Sequence, residues 1–463
     1  MKSKFETPTI YIVFGITGDL FKRKILKSIY SLYTKNSLPK KFVIFGFGRR
    51  DWANEDLRKY LKSVFNKKDE TFIKHFFYTK GNFDDLGSYK DLSKQLGMVD
   101  NKWGYCSNKM FHLAVPPRYY ETIVKNLKKS NLTKICSDEE GWARVIIEKP
   151  FGKNAATAES LDKTLIKYFK EGQIYRLDHY LGKEILQNII FFRFSNTIFE
   201  NSWNNKFIER INIVSLESNL VDMRGNYYDG VGELRDMGQS HLLQMLALTT
   251  MQNPNSLKGD EVRDKRANVL KELKTFTKSN VEKNTIKAQY ANYTKAKGVE
   301  KNSKTETFFS LKTEINNNTW RGVEINLTSG KGTVKKSKSY IDVIFKHPSD
   351  CYCPINSNHE FKNKVRFELK PANEIRITTW YKKPGLEFDI EKKLVQIPLA
   401  STKGSSEYEK LIYDCIKGDQ TLFVSSKEVK QMWNFIDPII KEWGRGKTPL
   451  FKYKKGQTPR FFS

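Results

Sequence analysis

The sequence predicts an α/β domain with a parallel sheet, followed by a larger α+β domain whose sheet is mostly antiparallel. Up to about residue 177, apolar strand-like runs alternate with helical patterns, which is typical of a doubly wound sheet. From Thr305 onward, strand patterns follow one another, and helical patterns close the chain. We therefore expect a first domain over residues 1–177 and a second domain over residues 178–463.

The length and composition of the chain indicate how many domains it has and which kinds of partner its charge attracts. Its 463 residues suffice for two or three domains, and the aromatic share of 13% argues against disorder. Lys and Arg total 81 against 52 Asp and Glu, so a formal charge of +29 is spread along the chain. This charge attracts phosphorylated metabolites, nucleic acid and anionic surfaces alike, so it does not identify the partner.

Cysteine usage indicates a reducing compartment, because five cysteines do not make a disulfide framework in a chain of this length. His347, Cys351, Cys353 and His359 invite a metal interpretation. However, only one residue separates the two cysteines, whereas zinc sites usually have two or more. A polar loop without metal is favoured. The N-terminus lacks a secretory signal and no segment is apolar enough to span a bilayer, so we expect a cytoplasmic protein without a membrane partner.

The first strand predicted is TIYIVFG, which leads directly into GITGDLFKRKILKSIYSLY. Gly15 and Gly18 permit a tight turn, and the apolar spacing after Asp19 predicts a helix. A strand, glycine turn and helix in this order can bind a pyrophosphate at the helix N-terminus, as in a Rossmann-like dinucleotide-binding domain. Because the usual three-glycine spacing is absent, an ordinary turn stays possible at this point.

The second strand, KFVIFGFGRR, bears on the choice of dinucleotide. It ends in Arg49 and Arg50, whereas NAD-binding domains place a carboxylate there for the ribose. Arginine suits a 2′-phosphate, so NADP is favoured over NAD, the alternative being two surface arginines beside a turn. Later strands end at AVPP and at EKPFGKN, and Lys149 lies at the ligand-binding end of the second of these.

The stretch YRLDHYLGKEILQN brings Asp178, His179, Tyr180 and Lys183 together at a predicted strand-to-helix junction. With a helix beginning near Leu181, His179 and Lys183 would share one helix face and form an anion cradle. A polar helix cap with a chance ion pair is the alternative.

The predicted second domain begins with the strand FIERINIVSLES and with GELRDMGQSHLLQML, which carries Asp236 and His241. A histidine at such a helix start is more often a cap or core residue than a catalyst. A helix is predicted at VRDKRANVLKELKTF, followed by a loop and then by strands. The strand segments are TFFSLKTEI, RGVEINLT, YIDVIFK, KVRFELKP and EIRITTWY, and the closing helices are YEKLIYDCI and KEVKQMWNFIDPII.

Taken together, these motifs resemble one family, the glucose-6-phosphate dehydrogenases. The matching segments run in family order from Tyr11 to nearly the C-terminus, and YRLDHYLGKEILQN, EKPFG and RDMGQSH are the most specific. The resemblance implies a dinucleotide-binding domain and a β+α domain whose sheet forms a homodimer, possibly assembled further into a tetramer. It also implies oxidation of glucose 6-phosphate to 6-phosphogluconolactone with reduction of NADP, the first step of the oxidative pentose phosphate pathway.

The resemblance further implies roles for individual residues. His241 matches the general base, and Asp178 matches the group that orients it. The positions that match substrate-binding residues are Lys149, His179, Tyr180, Lys183, Glu217, Asp236 and Lys331. Those that match cofactor-binding residues are Gly15, Thr17, Gly18, Asp19, Leu20, Arg49, Tyr120 and Lys149.

The chain departs from the family pattern at Ser240, which leaves the matching base in place, and at Glu324, Thr328 and Lys370, which concern the far wall of the substrate pocket. Vertebrate-type members hold a second, structural NADP through basic residues. The matching positions here are Thr328, Ser337 and Glu368, and we expect one NADP for each chain. A nucleic-acid-binding protein that kept the fold is the alternative to an enzyme. The pair of Asp178 and His241 favours the enzyme, with no specific nucleic acid as partner.

Overall fold

A computed structural model describes residues 7–65, 69–136, 141–350, 361–399 and 405–459. The chain forms two compact units. The first unit comprises Met1–Gly182, Ser256–Arg263 and Ser405–Ser426, and the second comprises Lys183–Asn255, Asp264–Gly404 and Lys427–Ser463. The predicted division into consecutive domains at residue 178 stays a prediction. The metal hypothesis at Cys351, Cys353 and His359 lies outside the described residues.

The first unit contains a six-stranded parallel sheet. Its strands are β1 (Thr9–Phe14), β2 (Phe42–Gly48), β3 (Phe76–Lys80), β4 (Asn108–Leu113), β5 (Ala143–Glu148) and β6 (Ile174–Leu177). They lie in the order β3-β2-β1-β4-β5-β6. β1 and β4 are buried at every position, which explains the apolar run of β1, whereas β4 also buries the polar residues Asn108, Lys109 and His112. The strand order reverses between β1 and β4, where a doubly wound sheet binds its ligand.

The second unit contains a nine-stranded sheet. Its strands are β7 (Ile208–Leu216), β8 (Thr285–Tyr290), β9 (Phe308–Thr313), β10 (Glu324–Gly330), β11 (Lys338–Phe345), β12 (Lys364–Lys370), β13 (Glu374–Lys382), β14 (Ile390–Pro398) and β15 (Leu450–Tyr453). The order is β14-β13-β12-β11-β7-β10-β9-β8-β15. Only the pairs β7 with β10 and β8 with β15 are parallel in these described strands. The two sheets are those of the predicted fold class.

Helices flank both sheets. They are α1 (Leu26–Thr34), α2 (Asn54–Val64), α3 (Glu70–Ile73), α4 (Leu86–Trp103), α5 (Tyr120–Lys129), α6 (Ala155–Tyr168), α7 (Glu184–Phe194), α8 (Thr197–Glu200), α9 (Gly225–Tyr228), α10 (Leu243–Thr250), α11 (Gly259–Lys271), α12 (Lys278–Asn284), α13 (Glu407–Lys417) and α14 (Ser426–Gly444). π-Helical segments at Phe21–Ile25 and Leu234–Leu242 lead into α1 and α10. Among the described residues, every helix is too short or too polar to cross a membrane.

The structure corrects two expectations. α7 begins at Glu184, not near Leu181, because Asp178 holds the preceding residues in a turn. His179 and Lys183 therefore do not share one helix face. The expectation of reduced cysteines was wrong for Cys106 and Cys136, which form a disulfide with their Cα atoms 6.4 Å apart.

Candidate functional site

The glycine turn lies at the end of β1, where the strand order of the first unit reverses. Gly15 has a φ of 90°, and a Cβ atom there would lie 2.4 Å from the carbonyl oxygen of Ala114, which follows β4. Only glycine fits this close approach. The amide of Gly18 donates to the Gly15 carbonyl at 2.9 Å, and the helical segment begins immediately afterwards. The backbone thus has the form that accommodates a pyrophosphate.

The other residues of this turn are close to the protein surface. The Thr17 carbonyl accepts a hydrogen bond from the Tyr60 hydroxyl at 3.3 Å. Asp19 is exposed and pairs with Arg23 at 3.7 Å, and Leu20 is the last residue before the π-helical segment. The hydrogen bond between Thr17 and Tyr60 links the glycine turn to α2.

Two arginines follow β2 and are both exposed. The Arg50 guanidinium lies over the Trp52 ring, 4.6 Å from its centroid. Among the described residues, none forms a hydrogen bond or ion pair with Arg49. A guanidinium at a strand end without a protein acceptor is suited to a phosphate group. The glycine turn and these arginines therefore fit a nicotinamide dinucleotide.

Lys149 lies directly after β5 and joins Pro150 through a cis peptide bond. Tyr120, in contrast, is fully buried. Its hydroxyl donates to the Glu148 carbonyl at 3.1 Å. Tyr120 thus supports the strand end that presents Lys149.

A buried chain of side chains, which the sequence patterns did not indicate, runs beneath this strand end. The Tyr11 hydroxyl bonds to Nδ1 of His112 at 2.6 Å, and Nε2 of His112 bonds to Glu148 Oε1 at 2.9 Å. The Tyr408 hydroxyl donates to Glu148 Oε2 at 3.1 Å, and its ring stacks on His179 with centroids 6.4 Å apart. Burial and the charge of Glu148 raise the pKa of Tyr408, which keeps this phenol protonated.

The residues after β6 form a tight turn. Asp178 is fully buried, and its Oδ1 accepts the Tyr180 amide at 2.9 Å. The Leu181 amide donates to the Asp178 carbonyl at 3.1 Å. His179, which follows Asp178 in this turn, is partly exposed, and its ring lies edge-on to the Tyr180 ring. Lys183 is the first residue of the second unit and is the N-cap of α7, whose first amides favour an anion.

In the second unit, the predicted sugar-binding carboxylates lie around the buried ammonium of Lys331. The ends of the parallel strands β7 and β10 place Glu217 beside Lys331, with 3.1 Å between Oε2 and Nζ. Asp236 lies 3.4 Å from the same ammonium, and Glu233, which was not predicted, lies 3.5 Å from it. Burial alone would lower the pKa of Lys331, but the three carboxylates raise it above its ordinary value. The ammonium therefore stays charged.

His241 lies on the π-helical segment before α10 and is 3% exposed. Ser240, which precedes it, is fully buried. Asp236 is on the same segment, so the local helix presents both the histidine and a carboxylate of the Lys331 cluster. The pairing of His241 with Asp178, which belongs to the first unit, stays a prediction.

Two family models match the chain. The model described as glucose-6-phosphate dehydrogenase, NAD binding domain, matches residues 12–188, and the model of the C-terminal domain of the same enzyme matches residues 190–459. The chain belongs to the glucose-6-phosphate dehydrogenase family. It is therefore an oxidoreductase whose first domain binds a nicotinamide cofactor, and the resemblance predicted from the sequence is confirmed.

Individual members of the glucose-6-phosphate dehydrogenase family match over nearly their full length. The glucose-6-phosphate 1-dehydrogenase of Bacillus subtilis is 36% identical, covering 98% of this chain and 96% of the relative. That of Borreliella burgdorferi is 35% identical, with 96% and 94% covered. A solved glucose-6-phosphate dehydrogenase in complex with its substrate glucose-6-phosphate has a TM-score of 0.90 at 28% identity, with 100% and 97% covered. The predicted fold class is thus confirmed.

Proposed function

We propose that this protein oxidises glucose 6-phosphate at C1 to 6-phosphogluconolactone and reduces NADP to NADPH, as the first step of the oxidative pentose phosphate pathway. The observation that carries the proposal is the Lys331 cluster, in which a buried ammonium and the carboxylates of Glu217 and Asp236 present donors and acceptors for sugar hydroxyls. It occurs in a chain that matches glucose-6-phosphate 1-dehydrogenases over almost its whole length.

His241 is proposed to remove the proton from the C1 hydroxyl of the sugar. An imidazole with an ordinary pKa near 6.5 is a suitable base at neutral pH. Asp178 would orient the imidazole and stabilise the positive charge that it acquires. When bound, the nicotinamide cofactor supplies the acceptor for the hydride that leaves C1. Loss of this proton and hydride converts the C1 hydroxyl into the lactone carbonyl.

Substrate recognition is proposed to divide between the two ends of the sugar phosphate. His179, Tyr180 and Lys183 would hold the phosphate, because they combine positive charge with hydrogen-bond donors. Lys149, Glu217, Asp236 and Lys331 are proposed to bind the sugar. Each of these assignments stays an expectation of the family resemblance.

The cofactor is proposed to be NADP. The residues proposed to hold it are Gly15, Thr17, Gly18, Asp19, Leu20, Arg49, Tyr120 and Lys149. Arg49 would bind the 2′-phosphate that distinguishes NADP from NAD. Tyr120, being buried, would act by supporting the end of β5.

A homodimer, or a tetramer made of two such dimers, is proposed to form through the β14 edge of the nine-stranded sheet. β14 is one of the two edge strands of this described sheet, and apolar side chains on β13, β14 and their connection are exposed, with Leu386 98% and Phe388 89% accessible. Such exposed apolar area is typical of an interaction surface. Light scattering should give two or four times the 54.1 kDa mass of the chain, and a monomer would contradict the dimer.

The proposed reaction is tested by following NADPH absorbance with purified protein, glucose 6-phosphate and either NADP or NAD. We expect reduction of NADP and a lower kcat/KM with NAD. Absence of reduction with both cofactors would contradict the proposed function. Reduction of NAD alone would contradict only the choice of cofactor. The cytoplasmic location stays a prediction.

A further inference from the structure

Glu233 is a fully buried carboxyl group beside the proposed sugar site. Its Oε2 accepts a hydrogen bond from the Tyr228 hydroxyl at 2.7 Å, and its Oε1 accepts one from the Ser329 hydroxyl at 2.6 Å. The Lys331 ammonium lies 3.5 Å from Oε2. Both carboxyl oxygens are thus fixed by neighbouring elements, and the group has a definite position relative to Lys331.

The three carboxylates around Lys331 differ in their exposure. The side chain of Glu217 is 30% exposed and that of Asp236 is 13% exposed, whereas that of Glu233 is 0% exposed. Glu217 and Asp236 are therefore accessible to a ligand. Glu233 faces the ammonium from the protein interior, where it competes with any ligand for Lys331.

Three carboxylates share one ammonium in this cluster, so it carries excess negative charge when all are ionised. Burial raises the pKa of Glu233 to about 7, against the opposing effect of the Lys331 charge. Charged or titratable groups lie around Glu233 on each neighbouring element: Tyr228 on α9, Lys331 after β10, Asp236 on its own helix, Glu217 after β7, Glu306 before β9 and Tyr453 on β15. Near neutral pH, the carboxyl is thus divided between its two forms.

We propose that Glu233 is a positioning residue that makes sugar binding depend on pH by controlling Lys331. The ionised carboxylate holds the ammonium against the interior and adds negative charge near a phosphorylated substrate. Protonation weakens this hold and makes the ammonium available to sugar hydroxyls. The inference rests on the proposed function, because it takes the Lys331 cluster as the sugar site.

The test compares the KM for glucose 6-phosphate between pH 6 and 8.5 in wild type, Glu233→Gln and Glu306→Gln. Glutamine mimics the protonated carboxyl. The two partners of Glu233, Tyr228 and Ser329, are hydroxyls that can donate to or accept from the amide. Glu306 is a matched control, since it is also buried with a raised pKa but bonds to the Leu234 amide. Titration of the substrate phosphate is common to all three proteins and cancels in the ratios.

We expect the ratio of the wild-type KM to the Glu233→Gln KM to rise about fivefold as pH increases through 7. The kcat of the wild type should change less than about twofold over the same range. Glu306→Gln should follow the wild type. A Glu233→Gln profile parallel to that of the wild type would overturn the inference. Loss of the rise in Glu306→Gln would also overturn it, because the titrating group would then be Glu306.

A second variant tests the inference independently of how well Glu233→Gln folds. Ser329→Ala removes a hydrogen bond that favours the ionised carboxylate, so the rise in KM should move to higher pH by about half a unit to one unit. An unmoved rise would contradict control by Glu233. Failure of all proteins to oxidise glucose 6-phosphate at any pH would instead contradict the proposed function, and the inference with it.

Discussion

At the scale of single residues, the proposed chemistry depends most on His241. This imidazole is almost completely buried and follows Asp236 on one π-helical segment. Replacing it with Asn keeps a similar shape and removes the base. We expect kcat of His241→Asn to fall by on the order of a thousandfold, with the dissociation constant for glucose 6-phosphate changed less than about threefold.

The control for this variant is His75→Asn. His75 hydrogen-bonds to the Phe42 carbonyl at 2.8 Å in the first unit and has no proposed role in turnover. Its replacement should leave kcat nearly unchanged. Stopped-flow measurement of NADPH formation and calorimetric titration of the substrate give both quantities. A His241→Asn variant that keeps a tenth of the wild-type kcat would exclude His241 as the base.

Cofactor choice is also proposed to depend on one residue, Arg49. Arg49→Ala should weaken NADP binding by about 1.5–3 kcal/mol, because it removes a charge-assisted contact with the 2′-phosphate. NAD binding should be nearly unaffected. Arg58→Ala, which removes a cation paired with Glu55 on α2, is the matched control and should change neither affinity. Equal losses for NADP and NAD in Arg49→Ala would indicate a folding defect instead of a phosphate contact.

Sequence motifs identified Glu217, Asp236 and Lys331 because each lies within or beside a recognisable segment, and the structure brings these three together. Glu233 escaped notice, although it is in the same segment as Asp236. Its significance depends on burial and on partners from α9 and β10, which local sequence does not reveal. The His112 and Glu148 contact was missed for the same reason, since it joins two different strands.

At the scale of helices and strands, the buried elements were predicted best. β1 is an apolar run after Thr9, and β4 carries Met110, Phe111 and Leu113 among buried polar residues. Each strand lies where its pattern indicated. β8 lies in a stretch that the sequence predicts as a loop, because lysines and asparagines precede it. β14 was not recognised, because it is an exposed edge strand with lysines among its apolar residues. The disulfide between Cys106 and Cys136 depends on tertiary proximity and not on a spacing pattern.

The C-terminal end of α13 provides a stability prediction at this scale. Arg144, which is 9% exposed, donates to the carbonyls of Cys415 and Ile416 and stacks on Trp142. Arg144→Met would remove the guanidinium donor from both buried carbonyls, and among the described residues only that of Cys415 would keep another donor, the Gly418 amide at 3.3 Å. We expect it to destabilise the first unit by about 3 kcal/mol and to lower its thermal midpoint by several degrees.

Lys417→Met serves as the control for the α13 prediction. Lys417 is exposed in the last turn of the same helix, so its loss should cost less than about 1 kcal/mol. Circular dichroism during heating gives both midpoints. An Arg144→Met midpoint equal to that of Lys417→Met would mean that the helix-end hydrogen bonds contribute little.

At the scale of the whole molecule, we expect one NADP for each chain. The positions that match basic residues of the structural NADP site have other partners here. The Thr328 hydroxyl bonds to Ser310 at 2.9 Å, and the Ser337 hydroxyl accepts the Ser218 amide at 3.0 Å. Glu368 pairs with Arg376 at 2.9 Å. Neutral hydroxyls and a carboxylate do not supply the positive charge that a second phosphate group requires.

Nucleotide stoichiometry tests this expectation. Calorimetric titration with NADP should saturate near one site for each chain, and denaturing the purified protein should release no tightly held nucleotide. Two saturable sites of comparable affinity would contradict it. Repeating the titration in high salt removes weak attraction to the charge of +29, and the number of sites that still saturate should stay near one for each chain.

Transfer of hydride from C1 of the sugar to NADP is tested most directly with glucose 6-phosphate that carries deuterium at C1. After one turnover, mass spectrometry of the reduced cofactor should show one deuterium in each NADPH molecule, and His241→Asn should form this product about a thousandfold more slowly. Reduced cofactor without deuterium, or deuterium retained in the sugar product, would contradict the proposed reaction.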